Sequence, residues 1–257
     1  MSQPGCYDPP VPTLLAIVAH PDDESYSFGG TLALAAKAGW RCVVASATSG
    51  ERGKLDGREA DPEVVRRARE AELAASCAIL GAEPPIFLKL PDGALAGLDG
   101  TAEIATVIDS VQPDMILSLG PDGAYGHPDH LAVYRWVMAA WSGLGPARPA
   151  LLFATFPKGL FLPQYELCLD MMGDPPNPPA DAIGADTFDY EVPIAAVAAT
   201  KRAAIAAHRS QLPGGDPEAI FPPGIVAALM AAERFTDAAG VTSPETTAVL
   251  RGLSTQD

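Results

Sequence analysis

Apolar residues fall along this chain in short continuous runs, and between the runs they recur at helical spacing. Leu14 to Ala19 is an unbroken apolar run of strand length, the pattern of a strand buried on both faces. Ser27 to Gly39 follows with Leu32, Ala35 and Ala36 on one helical face and a glycine stop. Arg41 to Ala47 predicts a second strand, and Asp61-Pro62 predicts a helix start, capping residue then proline, for a helix running to Gly81. Further strands are expected over 85–90, 114–119 and 151–156, with helices over 101–111 and 128–141. Such alternation predicts an α/β, Rossmann-like fold: a mostly parallel sheet with helices on both faces, joined by right-handed crossovers.

The pattern changes after Phe156. Residues 157–193 are rich in proline and turn formers, above all Met171 to Pro179, and predict an irregular insertion passing over the site. Two alanine-rich helices are expected after it, Ile194 to Ser210 and Gly224 to Ala239. The length of 257 residues suits one large domain, expected over 12–257, with 1–11 as an N-terminal tail.

Composition narrows the function classes. A net charge of -15 disfavours nucleic acid, whose binding depends on neutralised phosphates. No apolar run reaches the ~18–20 residues of a membrane span. The first dozen residues have neither a basic region nor an apolar stretch, so no secretory signal is predicted and the cytoplasm is the expected compartment. Cys6, Cys42, Cys77 and Cys168 are too scattered for a disulfide framework or a zinc ribbon. Trp136, Trp141 and Phe153 read as core aromatics.

Two short segments carry the candidate chemistry. His20-Pro21-Asp22-Asp23-Glu24 follows the first strand and Tyr125-Gly126-His127-Pro128-Asp129-His130 follows the fourth, together holding three of the four histidines. In open parallel sheets, binding groups converge at the carboxyl ends of strands. A catalytic zinc takes three protein ligands and keeps one position open. His20 and Asp23 from the first loop with His130 from the second can supply that set. Asp22 is then left beside the ion as a general base, and His127 faces a developing oxyanion or leaving amine. Asp129 can hold one imidazole by a hydrogen bond that fixes its tautomer. Tyr125, beside His127, can donate to a tetrahedral intermediate. Glu24 reads as a helix-start carboxylate, not a ligand. These parts fit metal-assisted amide hydrolysis.

With Ala19 to Glu24 matching an Ala-His-Pro-Asp-Asp-Glu motif and His127 to His130 a His-Pro-Asp-His motif, the chain resembles the LmbE/PIG-L family of zinc-dependent N-deacetylases. Thr48 to Glu51, Arg69 to Leu73 and Lys201 to Gln211 extend the resemblance over roughly residues 12 to 212. The resemblance implies one Zn2+ held by His20, Asp23 and His130, with Asp22 as base and His127 as electrostatic or acid partner. It also implies that Arg69 contacts a sugar and places His208 at the pocket wall. Tyr125 makes the chain most similar to the mycothiol-pathway subgroup. The expected activity is removal of an N-acyl group, foremost acetyl, from a small glucosamine-containing molecule. An amidase for a larger acyl group or a cysteinyl conjugate is the alternative within enzymes; a metal-binding scaffold without turnover is the alternative outside them. A nicotinamide-dependent dehydrogenase is disfavoured, because no Gly-x-Gly-x-x-Gly turn follows the first strand.

Overall fold

The computed structural model describes residues 11–146 and 148–254. Its strands are β1 (Thr13–Val18), β2 (Arg41–Ser46), β3 (Ile86–Phe87), β4 (Met115–Ser118), β5 (Ala150–Ala154), β6 (Tyr190–Pro193) and β7 (Ala232–Asp237). They form one sheet in the order β3-β2-β1-β4-β5-β7-β6. The first five are parallel, while β7 runs antiparallel to both β5 and β6. The helices are α1 (Asp23–Ser27), α2 (Gly29–Lys37), α3 (Pro62–Leu80), α4 (Thr101–Val111), α5 (Gly123–Gly126), α6 (Pro128–Ser142), α7 (Leu162–Leu167), α8 (Ala198–Ala207), α9 (Ile225–Leu229) and α10 (Pro244–Ser254). One helical group packs α2, α3 and α8 together and another packs α4 on α6, layering the sheet on its two faces.

The chain steps outward from β1 through β2 to β3, then returns to place β4 on the other side of β1. Strand order reverses there, so the loops leaving β1 and β4 diverge to opposite sides and open a crevice between them. Every residue of β1 and β4 is buried, as their unbroken apolar runs require. Trp136, Trp141 and Phe153 lie in the core.

Several elements differ from the sequence pattern. The third strand is short because Lys89 sits at φ +56°, although Leu88 and Leu90 still donate to the Ser46 and Ala47 carbonyls at 2.9 Å. The irregular insertion contains α7 and β6. Of the helix expected over 224–239, only α9 forms; residues 232–237 are a strand. In β7, Glu233, Phe235 and Asp237 point inward and Arg234 and Thr236 outward, a period of two that carboxylates at two inward positions conceal. α10 has no counterpart in that pattern, although Ser243-Pro244-Glu245 carries an ordinary helix-start signal. The expected tail at 1–11 lies outside the described residues except for Val11.

Candidate active site

The loop after β1 is tied by its own side chains. The His20 N–H donates to Asp23 Oδ2 at 2.8 Å, and the Asp22 N–H donates to Glu24 Oε2 at 3.0 Å. Asp22 is held at φ 125°, a conformation an L residue adopts only under constraint. Arg69 supplies part of it: Nη2 donates to the Pro21 carbonyl at 2.6 Å and to Asp22 Oδ2 at 3.1 Å, and Nη1 to the Gly50 carbonyl at 3.0 Å. Burial pushes the Asp22 carboxyl up to about 6, with Arg69 opposing the rise and Asp23 adding to it.

The loop after β4 enters α6 through His127, whose Nδ1 accepts the Asp129 N–H at 3.2 Å and caps the helix ahead of Pro128. With its Nδ1 lone pair engaged, neutral His127 carries its proton on Nε2. Burial lowers its pKa to about 2, aided by the neighbouring His130 and His20 rings, so it stays neutral. His130 is the reverse case. Its Nδ1–H donates to the Gly123 carbonyl at 3.1 Å, which leaves Nε2 as a bare acceptor. That nitrogen is buried without a hydrogen-bond partner and faces Asp23 Oδ1 at 3.2 Å.

His20 completes the cluster from the first loop. Its Nε2 lies 3.2 Å from both Asp92 Oδ1 and Asp129 Oδ2 and donates into them. Nδ1 is then free on the side of Asp23, 3.6 Å from Oδ2. Asp129 is itself fixed by the N–H groups of Gly93 at 2.7 Å and Leu95 at 3.0 Å, and Asp92 accepts from the Arg52 N–H at 2.8 Å. Burial alone would lower the His20 pKa, yet Asp129, Asp23 and Asp92 outweigh it and push it well up. Positive charge is therefore favoured at this spot.

A nitrogen lone pair and a carboxylate oxygen buried face to face repel unless a cation or proton lies between them. One ring nitrogen from each of His20, His127 and His130 falls within 4.8 Å of the others, and the Asp23 carboxylate lies 3.6 Å from His20 Nδ1 and 3.2 Å from His130 Nε2. The donor set fits a divalent cation. The capping bond of His127 sets that ring apart, because its lone pair is already used.

Of the nine residues singled out in the sequence, eight gather around one crevice. A cavity of about 500 Å3 is lined by His20, Asp22, Asp23, Arg69, His127 and Asp129. Tyr125 lines it too, its ring centroid 5.9 Å from that of His127 and 5.5 Å from that of His130. Burial and the nearby Asp23 raise its phenol pKa well above the ordinary value, so it stays a donor. His208 is the exception: it is fully buried, its Nε2 paired with Glu24 Oε1 at 2.8 Å, and it lines neither this cavity nor the one beside it. Glu24 also accepts from Ser76 Oγ and the Asp22 N–H, and so joins α3, α8 and the first loop. Asp92 escapes the sequence pattern. It stands in a Pro-Asp-Gly turn just beyond β3, at the same end of the sheet as the two motif loops.

The chain is similar to known proteins over most of its length. Residues 15–141 match the PIG-L family, GlcNAc-PI de-N-acetylase. A curated protein from Nakamurella multipartita, 1D-myo-inositol 2-acetamido-2-deoxy-alpha-D-glucopyranoside deacetylase, is 34% identical over 241 residues, covering 78% of this chain and 81% of its own. Other curated proteins of that name match over about half their length. Among solved structures, the conserved protein TT1542 from Thermus thermophilus is 26% identical with a TM-score of 0.63, covering 90% of this chain and 96% of its own. N,N'-diacetylchitobiose deacetylase from Pyrococcus horikoshii shares the fold, with 20% identity, a TM-score of 0.60 and coverage of 91% and 87%. By motif, fold and the extent of its likeness to the Nakamurella protein, the chain belongs to the PIG-L family.

Proposed function

We propose that this protein is a zinc-dependent deacetylase that hydrolyses the N-acetyl group of a small glucosamine-containing molecule. The observation that carries this reading is the pair His130 Nε2 and Asp23 Oδ1, 3.2 Å apart with the buried nitrogen lacking any hydrogen-bond partner, beside a carboxylate that no ligand role requires. His20 through Nδ1, Asp23 and His130 through Nε2 would hold the ion. When bound, zinc supplies Lewis acidity, polarising the amide carbonyl and making water a stronger acid.

The remaining steps fall to side chains. Asp22 accepts a proton from the attacking water as the new carbon–oxygen bond forms, and Arg69 orients its carboxylate. His127 Nε2–H and the Tyr125 hydroxyl donate to the oxygen that gains negative charge. As the carbon–nitrogen bond breaks, the proton held by Asp22 passes to the leaving nitrogen, giving acetate and a free amine. Asp129 and Asp92 hold His20 in the tautomer that presents Nδ1.

The printed name of the Nakamurella relative supports an acetamido-glucopyranoside as the first substrate to try. Zinc-loaded protein incubated with 1D-myo-inositol 2-acetamido-2-deoxy-α-D-glucopyranoside and with N-acetylglucosamine should release primary amine and acetate in equal amounts. Chelation should abolish the release and added zinc restore it. Absence of amine from every acetamido sugar, or turnover unaffected by exhaustive chelation, rejects the reading.

A further inference from the structure

The backbone around Tyr125 is held in an unusual shape. Gly123 and Gly126 sit at φ 60° and 84°, and Ala124, which carries a Cβ, sits at φ 65° and ψ -57°. Those angles belong to the strained form of the γ-turn, which an L residue keeps only where its surroundings impose it. Here a carboxylate imposes it. Asp122 Oδ1 accepts the Ala124 N–H at 3.0 Å, and Oδ2 accepts the N–H of Gly184, 62 residues away in the chain, at 2.9 Å. Gly184 lies at the neck of the irregular insertion, where the Lys158 N–H donates to the Ala185 carbonyl at 3.0 Å and the Ala185 N–H to the Phe156 carbonyl at 2.9 Å. Only glycine fits there: φ is 74°, and a Cβ would stand 2.8 Å from the Pro157 carbonyl oxygen. The insertion grips the turn at a second point, since a Cβ on Gly126 would lie 2.9 Å from Met172 Sδ.

The turn carries two groups of the proposed site. The Gly123 carbonyl takes the His130 Nδ1–H at 3.1 Å, the bond that leaves Nε2 for the ion, and Tyr125 follows Ala124 directly. Asp122 itself lines neither the crevice nor the cavity beside it, so whatever it does there it does through the turn. We propose that Asp122 is a positioning residue: by bridging the Ala124 and Gly184 N–H groups, its carboxylate holds the 123–126 turn in the shape that aims the Gly123 carbonyl at His130 and the Tyr125 ring at the crevice. This rests on the deacetylase reading above and adds to it a residue that touches neither ion nor substrate. Two N–H donors on one side chain call for two acceptor oxygens, which a carboxylate has and an amide has not.

The test compares Asp122→Ala with the parent protein. Zinc affinity in a competitive chelator titration should weaken about tenfold, and kcat of the zinc-loaded protein on N-acetylglucosamine should fall about 10–100-fold with KM unchanged. Asp122→Asn, which keeps one acceptor, should fall between the two; it takes the place of Asp122→Ala throughout if the alanine variant does not fold. The decisive measurement adds Ala124→Gly to Asp122→Ala. Glycine takes positive φ without the Cβ penalty, so it should return about threefold or more of the lost zinc affinity and kcat. A carboxylate that only tethered the insertion would not be compensated at position 124. Unchanged zinc affinity and kcat in Asp122→Ala, or a loss that Ala124→Gly does not reduce, overturns the proposal. If the parent protein releases amine from no acetamido sugar, the deacetylase reading has failed, and zinc affinity with amide hydrogen exchange over 123–127 decides. Exchange about tenfold faster in Asp122→Ala, with weaker zinc binding restored by Ala124→Gly, upholds the positioning role; exchange and affinity equal to the parent's overturn it.

Discussion

The ion pairs Lys201–Glu233 and Arg69–Asp22 both turn away from solvent, and they are built differently. Lys201 and Glu233 meet at 2.6 Å, both buried, with every oxygen and the ammonium engaged. Glu233 also accepts the N–H groups of Gly30 and Thr31 at 2.7 Å, closing the start of α2, while Lys201 donates to the Tyr26 carbonyl at 2.8 Å. Burial lowers the Lys201 pKa, and Glu233 resists the fall. Arg69 and Asp22 meet at 3.1 Å with Arg69 Nε unpartnered, the Asp22 backbone strained and its carboxyl raised toward neutrality. A complete pair holds elements together; an incomplete one, at the mouth of a cavity, keeps capacity for a substrate and a proton.

Substitution at each pair should separate these roles. Asp22→Asn keeps the shape and removes the proton acceptor, so kcat should fall by about 10^3 while zinc content and the melting temperature stay as in the parent protein. Retained turnover would remove Asp22 from the proposed mechanism. Lys201→Met should do the opposite. Stranding Glu233 costs about 3–5 kcal/mol, about 10 °C in Tm by calorimetry, with kcat per folded molecule preserved at low temperature. Asp129→Asn withdraws a charged acceptor from His20 and should weaken zinc binding by about 10–100-fold in a competitive chelator titration. An unchanged affinity would make Asp129 a brace for the 93–95 turn alone. The smallest effect is expected from Arg69→Lys, which keeps the charge but not the three-way geometry; kcat should drop by about tenfold.

Much of the site is legible in the sequence because parallel strands announce their own ends. A continuous apolar run fixes where β1 and β4 stop, and the histidines and carboxylates just beyond them converge at the point where strand order reverses. The pairings within the site are not legible. Asp129 holds the imidazole of the other loop, at His20, and nothing in local spacing says so. Asp92 stands alone in its turn, without a histidine to mark it. His208 is drawn inward by Glu24, whose place at a helix start suggests an exposed carboxylate until Ser76 and His208 are seen to enclose it. At β7, alanines on both sides mimic a helix, and Glu233 occupies an inward position that only Lys201, 32 residues earlier, makes tolerable.

The strand order has a consequence for how the protein is made. Because β7 lies between β5 and β6, the latter has no neighbour in the sheet until residue 237 has left the ribosome. A nascent chain stopping before Gly224 can already assemble both motif loops on five parallel strands, but β6 is still unpaired and the stretch from Pro157 to Asp189 lacks its far anchor. The groups proposed to break the bond can therefore be in place before the sheet edge beyond β5 is complete.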